Sequence, residues 1–400
     1  MPDIHTVRGE FPGLVGKTYL DTATLGLPSR PAIVAAQRVL SRLERGPLIS
    51  ATAHQETLDR ELNAARTEAA RILSADPSEV AVTGSTTEAL RTVLEAIRFN
   101  EGDNVVVADM EFPQLVIAAR DLGERKGAEV RTVAHQEGRL TAASYAGAID
   151  HRTRAVLVSS VQWTNGYHVD IGAVAGAAKR RDAFIIVDAI HHLGALRFDT
   201  GLMRPDAIVC GGHTWLGAPF GCGIAYVNRE SQGKLNLPIA GYRTAALPKG
   251  GWEQIFAPAR QMELSLPDDA RRLEGGGTAN YIGAASLAAG LALLNSVGAE
   301  AIESHILELG GRFIDELRAR RYRVLTPREP ERRAGIITVR FGDDSRIEAQ
   351  IARKLLRERI HIAVRRAAGV GGLRVSIHAH TSEEDLNVLL RALERFAPGA

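Results

Sequence analysis

Short apolar runs rich in Val and Ile alternate with longer segments of helical periodicity through the first 227 residues. Six of these runs predict strands: 80–83, 104–108, 155–158, 183–187, 207–210 and 223–227. Continuous apolar strands that are separated by helices form a mostly parallel sheet buried on both faces. The sequence therefore predicts an α/β fold in which helices cover a central sheet.

The C-terminal part has a different pattern. A strand at 335–340 is followed by helices at 346–358 and 382–396, which indicates a small α+β domain. A helical pattern at 281–318 leads into it, and 241–272 is predicted to be irregular because Gly, Pro and charged residues dominate it. We expect four parts: an N-terminal segment (1–30), a large domain (31–280), a connecting helix (281–318) and a small C-terminal domain (319–400).

Composition limits the possible partners. The formal net charge is only +2, and basic residues are mixed with acidic ones, so no nucleic-acid surface is predicted. No run is long and uncharged enough to span a bilayer, and residues 1–8 lack the pattern of a signal peptide. We expect a soluble, cytoplasmic protein with no nucleic-acid or membrane partner.

The chain contains only two cysteines, Cys210 and Cys222. Their spacing matches neither the paired CxxC arrangement of a zinc site nor a secreted disulfide scaffold. We predict two reduced, partly buried thiols and no metal site.

Polar residues follow several of the predicted strands. They are Thr83, those of the segment 109–112, Gln162, Asp188 and His213. Ligands of open α/β sheets bind at the carboxyl ends of the strands, so we expect these side chains to gather around one site.

The loop 83–87, Thr-Gly-Ser-Thr-Thr, lies between a predicted strand and a predicted helix. Its backbone N–H groups and the hydroxyls of Ser85, Thr86 and Thr87 can converge on an anion at the positive end of the helix. The same residues also suit a simple helix cap, so the loop alone leaves both interpretations open.

Six segments together resemble the class V aminotransferase family, whose members use pyridoxal 5'-phosphate (PLP). They occur in the family's order at 111–114, 159–166, 188–194, 210–221, 273–281 and 373–378. The likeness runs from Tyr19 to the helix at 382–396 and is nearest to isopenicillin N epimerase-like and kynureninase-like members. It implies a fold-type-I PLP-transferase, with a mostly parallel sheet in the large domain and a small α+β C-terminal domain.

The resemblance implies roles for individual residues. Asp188 would pair with the protonated pyridine nitrogen of PLP, and His191 would contact the 3'-oxygen of the ring. Phe112 would lie over the ring, and Gln162 would face cofactor or substrate. The expected cofactor-binding set is Ser85, Thr86, Thr87, Phe112, Gln162, Asp188, His191, His213, Gly277 and Thr278.

The resemblance also implies partners. The segment with Gly277 and Thr278 resembles one that a subunit lends to the phosphate of its neighbour, which implies a homodimer with shared active sites. Arg374 matches the family's arginine that binds the substrate α-carboxylate by a bidentate fork, and His378 ends the same motif. We therefore expect an amino acid or keto acid substrate, held by Arg374 and His378.

One departure from the family removes a reacting group. The family carries Ser/Gly-x-His-Lys-Trp, whose lysine holds PLP as a Schiff base, whereas this chain has Thr214 between His213 and Trp215. A hydroxyl cannot form an imine with an aldehyde and is a poor general base. The catalytic candidates are Thr214, His213 and His191. Further candidates for the missing base are His378, Lys234 and Lys249.

Three interpretations follow. The favoured one is a lyase, epimerase or transferase that acts on an amino acid through noncovalently held PLP, because Asp188, His213 and Arg374 are all retained. The second is a PLP-independent enzyme that reuses the pocket for a carboxylate- or phosphate-bearing substrate. The third is a noncatalytic ligand-binding homologue. Cysteine desulfurase activity is disfavoured, because the family's desulfurases need a cysteine in the C-terminal third and none follows Cys222.

Overall fold

The computed structural model describes residues 3–46, 50–236, 241, 267–275 and 277–397. Its largest sheet has seven strands in the order β2-β8-β7-β6-β5-β3-β4. Within it, β8 runs antiparallel to both neighbours and the other pairs are parallel. The strands are β2 (Val80–Thr83), β3 (Asn104–Ala108), β4 (Glu129–Val133), β5 (Thr153–Ser159), β6 (Phe184–Asp188), β7 (Ala207–Gly211) and β8 (Gly223–Val227).

The remaining strands build the C-terminal part. A four-stranded antiparallel sheet has the order β12-β13-β10-β9, and β1 pairs with β11 in a small parallel sheet. These strands are β1 (Thr18–Tyr19), β9 (Arg323–Val324), β10 (Ile336–Arg340), β11 (Ile360–His361), β12 (Ala363–Ala367) and β13 (Val370–Ser376). The β1–β11 pair therefore attaches the N-terminal segment to the C-terminal region.

Helices cover the sheets. They are α1 (Arg30–Arg45), α2 (Ala51–Leu73), α3 (Thr86–Ala96), α4 (Pro113–Lys126), α5 (Ala142–Ala148), α6 (Ile171–Lys179), α7 (Thr200–Met203), α8 (Arg229–Gln232), α9 (Tyr281–Val297), α10 (Ala299–Ala319), α11 (Ser345–Arg357) and α12 (Glu383–Phe396). Helix α12 begins with a capping box between Ser382 and Asp385, as its Ser-Glu-Glu-Asp sequence indicates.

Two apolar clusters bury the two faces of the large sheet. Val105 and Val107 of β3 belong to one cluster together with α3 and α4, whereas Val106 and Ala108 belong to the other together with α2, α6 and α9. Successive side chains of a strand point to opposite faces, so a strand buried on both faces must be apolar at every position. The predicted α/β architecture is confirmed.

All six predicted strands of the large sheet are present, with boundaries shifted by no more than two residues. Strand β4 was missed because its Glu-Val-Arg-Thr-Val sequence lies at the sheet edge and is largely polar. The prediction of one helix at 281–318 was wrong. Gly298 has a φ of 93° and separates α9 from α10, which meet at an angle of 77°.

Most of the segment predicted to be irregular, 242–266, lies outside the described residues. In the described ranges no single helix is long and apolar enough to cross a membrane, and α9 and α10 pass that test only as a bent pair. The three boundaries between these parts, after residues 30, 280 and 318, stay predictions.

Candidate active site

The site lies at the carboxyl edge of the large sheet. Strands β2 and β7 both run antiparallel to β8, so they point the same way as β6, β5 and β3. Their last residues are Thr83, Gly211, Asp188, Ser159 and Ala108. The edge is therefore where the loops that follow these strands meet.

The loop 83–87 caps α3 and also leaves free hydroxyls. Ser85 Oγ accepts a hydrogen bond from the Glu88 N–H at 3.1 Å, whereas Thr83 Oγ1 and Thr86 Oγ1 are buried without a partner in the described structure. Thr87 is half-buried beside them. The loop thus acts as a cap through Ser85 and keeps two threonine hydroxyls available for an anion.

Gly277 and Thr278 lie near the same loop. Both residues are exposed, and they line a cavity of about 280 Å³ together with Thr83, Gly84 and Glu88. The Glu88 carboxylate accepts a hydrogen bond from the Gly84 N–H, so one negative charge already occupies part of this cavity.

Asp188 ends β6 as a buried carboxylate, and its Oδ1 accepts a hydrogen bond from the Ile190 N–H at 3.0 Å. Burial raises the pKa of Asp188 to about 7, and the nearby charge of Glu111 adds to the increase while the Ile190 bond opposes it. A cation placed against this carboxylate would favour its ionised form.

Glu111 is a buried carboxylate in the loop after β3. It accepts hydrogen bonds from the Ser159 N–H at 3.0 Å, from Gln162 Nε2 at 3.1 Å, from Tyr145 OH at 3.2 Å and from the Ser159 hydroxyl. Burial raises its pKa, and these donors oppose the increase. Glu111 therefore fixes the ends of β3 and β5 against each other and places a second acid near Asp188.

The two predicted ring contacts, Phe112 and Gln162, differ in exposure. Gln162 is fully buried, and its Oε1 has no partner in the described structure while Nε2 donates to Glu111. Phe112 is 46% exposed, and its ring meets Trp163 edge to face at 5.4 Å. The exposed face of Phe112 is thus available to a flat ligand at the edge of the sheet.

Thr214 lies in a tightly packed loop after β7. Its hydroxyl donates to the Ile190 carbonyl at 2.7 Å, and the side chain is buried. The Gly26 N–H donates to the His213 carbonyl at 2.7 Å, and a Cβ on Gly26 would lie 1.8 Å from the Thr214 carbonyl oxygen. The N-terminal segment therefore packs directly against the backbone at 213–214.

His213 and His191 approach the site from two loops. His213 is half-buried, and a Cβ on Gly211 would contact both its ring at 3.0 Å and Thr86 Oγ1 at 2.9 Å. His191 is buried, its Nδ1 has no partner in the described structure, and its ring meets Trp215 edge to face. Burial lowers the pKa of both histidines, and for His191 the charges of Arg374 and His213 add to the decrease. Both rings are therefore neutral near pH 7.

Arg374 projects from β13 towards the same site and is almost fully buried. Its Nη1 donates to the Trp163 carbonyl at 3.0 Å, and Nη2 donates to Thr24 Oγ1 at 2.7 Å with Asp21 Oδ1 at 3.7 Å. Its Nε has no partner in the described structure. Donor capacity on this guanidinium is therefore free for an anionic ligand.

His378 has different surroundings from those predicted. Its Nε2 lies 2.9 Å from the Trp215 carbonyl oxygen, its Nδ1 accepts from the His380 N–H at 3.4 Å, and Phe11 packs edge to face on the ring. Both ring nitrogens contact protein groups, so His378 holds the loop after Thr214 to the C-terminal region.

Lys234, another predicted base, does not reach this edge. Lys234 lies 3.4 Å from Glu230 and 3.9 Å from Asp182, which precedes β6, so it sits at the amino edge of the sheet. Lys249 lies outside the described residues.

Both cysteines are buried, as predicted, and neither forms a disulfide. Burial raises the pKa of Cys222 to about 12 and that of Cys210 above its usual range. Among the described residues, no group of three or more His, Cys, Asp or Glu side chains could hold a metal ion.

Buried neutral histidines make the fold sensitive to acid. Burial lowers the pKa of His378 from 6.5 to about 4. Because the folded pKa is below the unfolded one, this stabilising contribution is complete above pH 6.5 and is lost as the pH falls towards 4. We expect the loss of unfolding free energy between pH 7 and pH 4, measured by urea titration, to be smaller in His378→Gln than in wild type by about 3 kcal/mol. An equal loss in both would contradict this, and His151→Gln, on an exposed ring, is the matched control.

Comparison with known proteins assigns the family. The Aminotransferase class-V model matches residues 18–389, so the chain belongs to the class V aminotransferases. A probable cysteine desulfurase of Methanothermobacter thermautotrophicus is 26% identical over 98% of this chain and 97% of its own length. Isopenicillin N epimerase of Streptomyces clavuligerus is 28% identical over 82% of this chain and 83% of its own.

A solved structure supports the same fold. A lysine-to-alanine mutant of C-DES, with glycine covalently linked to its PLP cofactor, matches with a TM-score of 0.86 at 23% identity and covers 99% of this chain and 100% of that one. The predicted fold-type-I PLP-transferase architecture is thereby confirmed. The individual site assignments stay predictions.

Sequence reasoning missed Thr24 and Arg365. It placed Glu111 in the strand-end run 109–112 but gave it no role of its own. Thr24 comes from the N-terminal segment, and only the folded chain brings it to Arg374.

Proposed function

We propose that this protein is an enzyme that acts on an amino acid through PLP held noncovalently, with Thr214 at the position of the family's lysine. One observation carries the proposal. Buried polar atoms of Thr83, Thr86, Gln162 and His191 have no partner in the described structure, and these residues lie at the same carboxyl edge of the sheet as Asp188. Unpaired buried polar groups are costly, so their concentration at one edge indicates a polar ligand.

The donor set fits PLP. Asp188 is a buried acid that would hold a protonated pyridine nitrogen, and the threonine hydroxyls at the start of α3 would hold a phosphate. His191 Nδ1 would meet an oxygen on the ring, and Phe112 would cover one face. When bound, PLP supplies an aldehyde for the substrate amine and a ring that accepts an electron pair from Cα.

Thr214 supports noncovalent binding. Its hydroxyl donates to the Ile190 carbonyl and holds the 188–191 loop in place, and it offers no amine. The ammonium groups of the described lysines lie elsewhere, against Tyr19, Glu95, Glu230, Asp182 or Phe396. The mutant C-DES structure, which is named for a lysine-to-alanine replacement and for glycine covalently linked to PLP, supports the proposal that a protein of this fold can hold PLP after a lysine is lost.

Individual residues of this chain have separate roles in the proposed mechanism. Arg374 binds the substrate carboxylate through its Nε–H, which has no partner in the described structure, and orients Cα. His213, which is half-buried and neutral at the same edge of the sheet, is the candidate for holding a proton near Cα, since the Nδ1 of His191 is assigned to the ring oxygen. Glu111 keeps Asp188 and Gln162 in position through its hydrogen bonds to Ser159 and Gln162.

The proposal does not include the persulfide chemistry of desulfurases. Such chemistry needs an accessible thiolate, whereas both cysteines of this chain are buried and have raised pKa values. The relatives named as desulfurases therefore inform the fold and the cofactor rather than the reaction.

A spectroscopic titration tests the proposed function. Purified protein is titrated with PLP and then with a panel of amino acids, and the visible spectrum is recorded at each step. We expect saturable visible absorbance with PLP and a spectral shift with at least one amino acid. A protein that binds no PLP, or whose spectrum no amino acid changes, would contradict the proposal.

A further inference from the structure

A second arginine faces the site beside Arg374. Arg365 lies on β12, two residues after Ala363, and Ala363 is directly opposite Arg374 in the sheet. Residues two apart on a strand point to the same face, so both arginines belong to one face of the C-terminal sheet. Glycine at 372, opposite Arg365, places no side chain between them.

The two guanidinium groups converge on one hydroxyl. Arg374 Nη2 donates to Thr24 Oγ1 at 2.7 Å, and Arg365 Nη2 donates to the same oxygen at 3.1 Å. The two Nη2 atoms therefore lie no farther apart than the sum of these two hydrogen-bond lengths. Arg365 is only half-buried, so it lies on the outer side of the buried Arg374.

The charges at this point are unbalanced. Asp21 is the carboxylate that electrostatically couples to both arginines, and it lies 3.7 Å from Arg374 Nη2. Two cations thus face one acid, and burial raises the pKa of that acid. Arg374 Nε has no partner in the described structure. One substrate carboxylate would satisfy Arg374 and leave the second guanidinium without an anionic partner of its own.

We propose that Arg365 binds a second anionic group, so that the preferred substrates are amino acids whose side chain ends in a carboxylate or a similar anion. The inference rests on the proposed function, because it places the α-carboxylate on Arg374. The second anionic subsite specifies the substrate class, which the residues around the cofactor do not determine. The short distance between the two guanidiniums suits a compact ligand with two anionic ends.

Calorimetry on the cofactor-free protein tests this subsite separately from PLP binding. The probes are succinate and glutarate, each compared with its monoamide, which has the same shape and one charge fewer. We expect the dicarboxylate to bind about tenfold more tightly than the monoamide, the size of one charge-assisted hydrogen bond. Arg365→Gln should abolish that preference and leave monoamide binding unchanged.

Two variants complete the experiment. Arg374→Gln should weaken both ligands of a pair, whereas Arg353→Gln, on an exposed side chain of α11, should change neither. Equal affinities for dicarboxylate and monoamide in wild type, no binding of the dicarboxylate, or a preference that persists in Arg365→Gln would overturn the subsite. Failure of the proposed function would appear instead in the PLP titration, which these probes do not use.

Discussion

Replacing Asp188 with Asn should weaken PLP binding on the order of 100-fold, because the charge-assisted bond from a pyridinium nitrogen to a buried carboxylate is lost. The Asn side chain keeps an oxygen for the Ile190 N–H, which now binds Asp188 Oδ1 at 3.0 Å, so the loop should stay in place. The measurement is the dissociation constant of PLP from a spectroscopic titration.

Asp109→Asn is the matched control for this experiment. Asp109 follows the parallel strand β3 at the same edge of the sheet, but its carboxylate binds the backbone and ring of His135. We expect PLP affinity to stay within a factor of about two in this variant, since the Asp109 carboxylate is already engaged by His135. Equal PLP affinity in wild type and Asp188→Asn would remove Asp188 from the cofactor site.

Replacing Gly26 with Ala should have a large effect on stability. The added methyl would lie 1.8 Å from the Thr214 carbonyl oxygen, which is backbone and cannot rotate away. We expect a loss of about 3 kcal/mol, because overpacking must move the loop at 213–214 or break the bond from the Gly26 N–H to the His213 carbonyl.

Thermal unfolding of wild type and Gly26→Ala measures this loss of stability. Gly9→Ala is the control, because Gly9 is exposed and a Cβ there has no neighbour within 4 Å. A midpoint that falls by several degrees in Gly26→Ala alone is the expected result. An unchanged unfolding midpoint in Gly26→Ala would mean that the N-terminal segment does not pack closely against the loop that contains Thr214.

The sheet could be predicted because its strands are buried on both faces. Continuous Val and Ile runs are stable as strands only where both of their faces are buried, as in the middle of this sheet. The polar residues that follow such runs then lie at the carboxyl edge of the sheet. Asp188, Gln162 and the loop 83–87 were found on this ground. The break between α9 and α10 was harder to predict, because the helical pattern continues through this region and only Gly298 marks the break.

Contacts between distant segments could not be read from the sequence. The Thr24 hydroxyl meets two arginines from the opposite end of the chain, and no local pattern indicates this. His378 shows the reverse case. The Arg-x-Ser-x-His motif predicts a ligand contact for His378, whereas in the structure its Nε2 lies 2.9 Å from the Trp215 carbonyl oxygen.

Covalent trapping tests the central claim most directly. Wild type and Thr214→Lys are each loaded with PLP, treated with borohydride, denatured and weighed by mass spectrometry. If Thr214 leaves PLP held noncovalently, wild type should show visible absorbance before treatment and no added mass after it, whereas Thr214→Lys should gain the mass of the reduced cofactor. A wild-type chain that keeps the cofactor attached through another lysine, or that binds no PLP, would contradict the account.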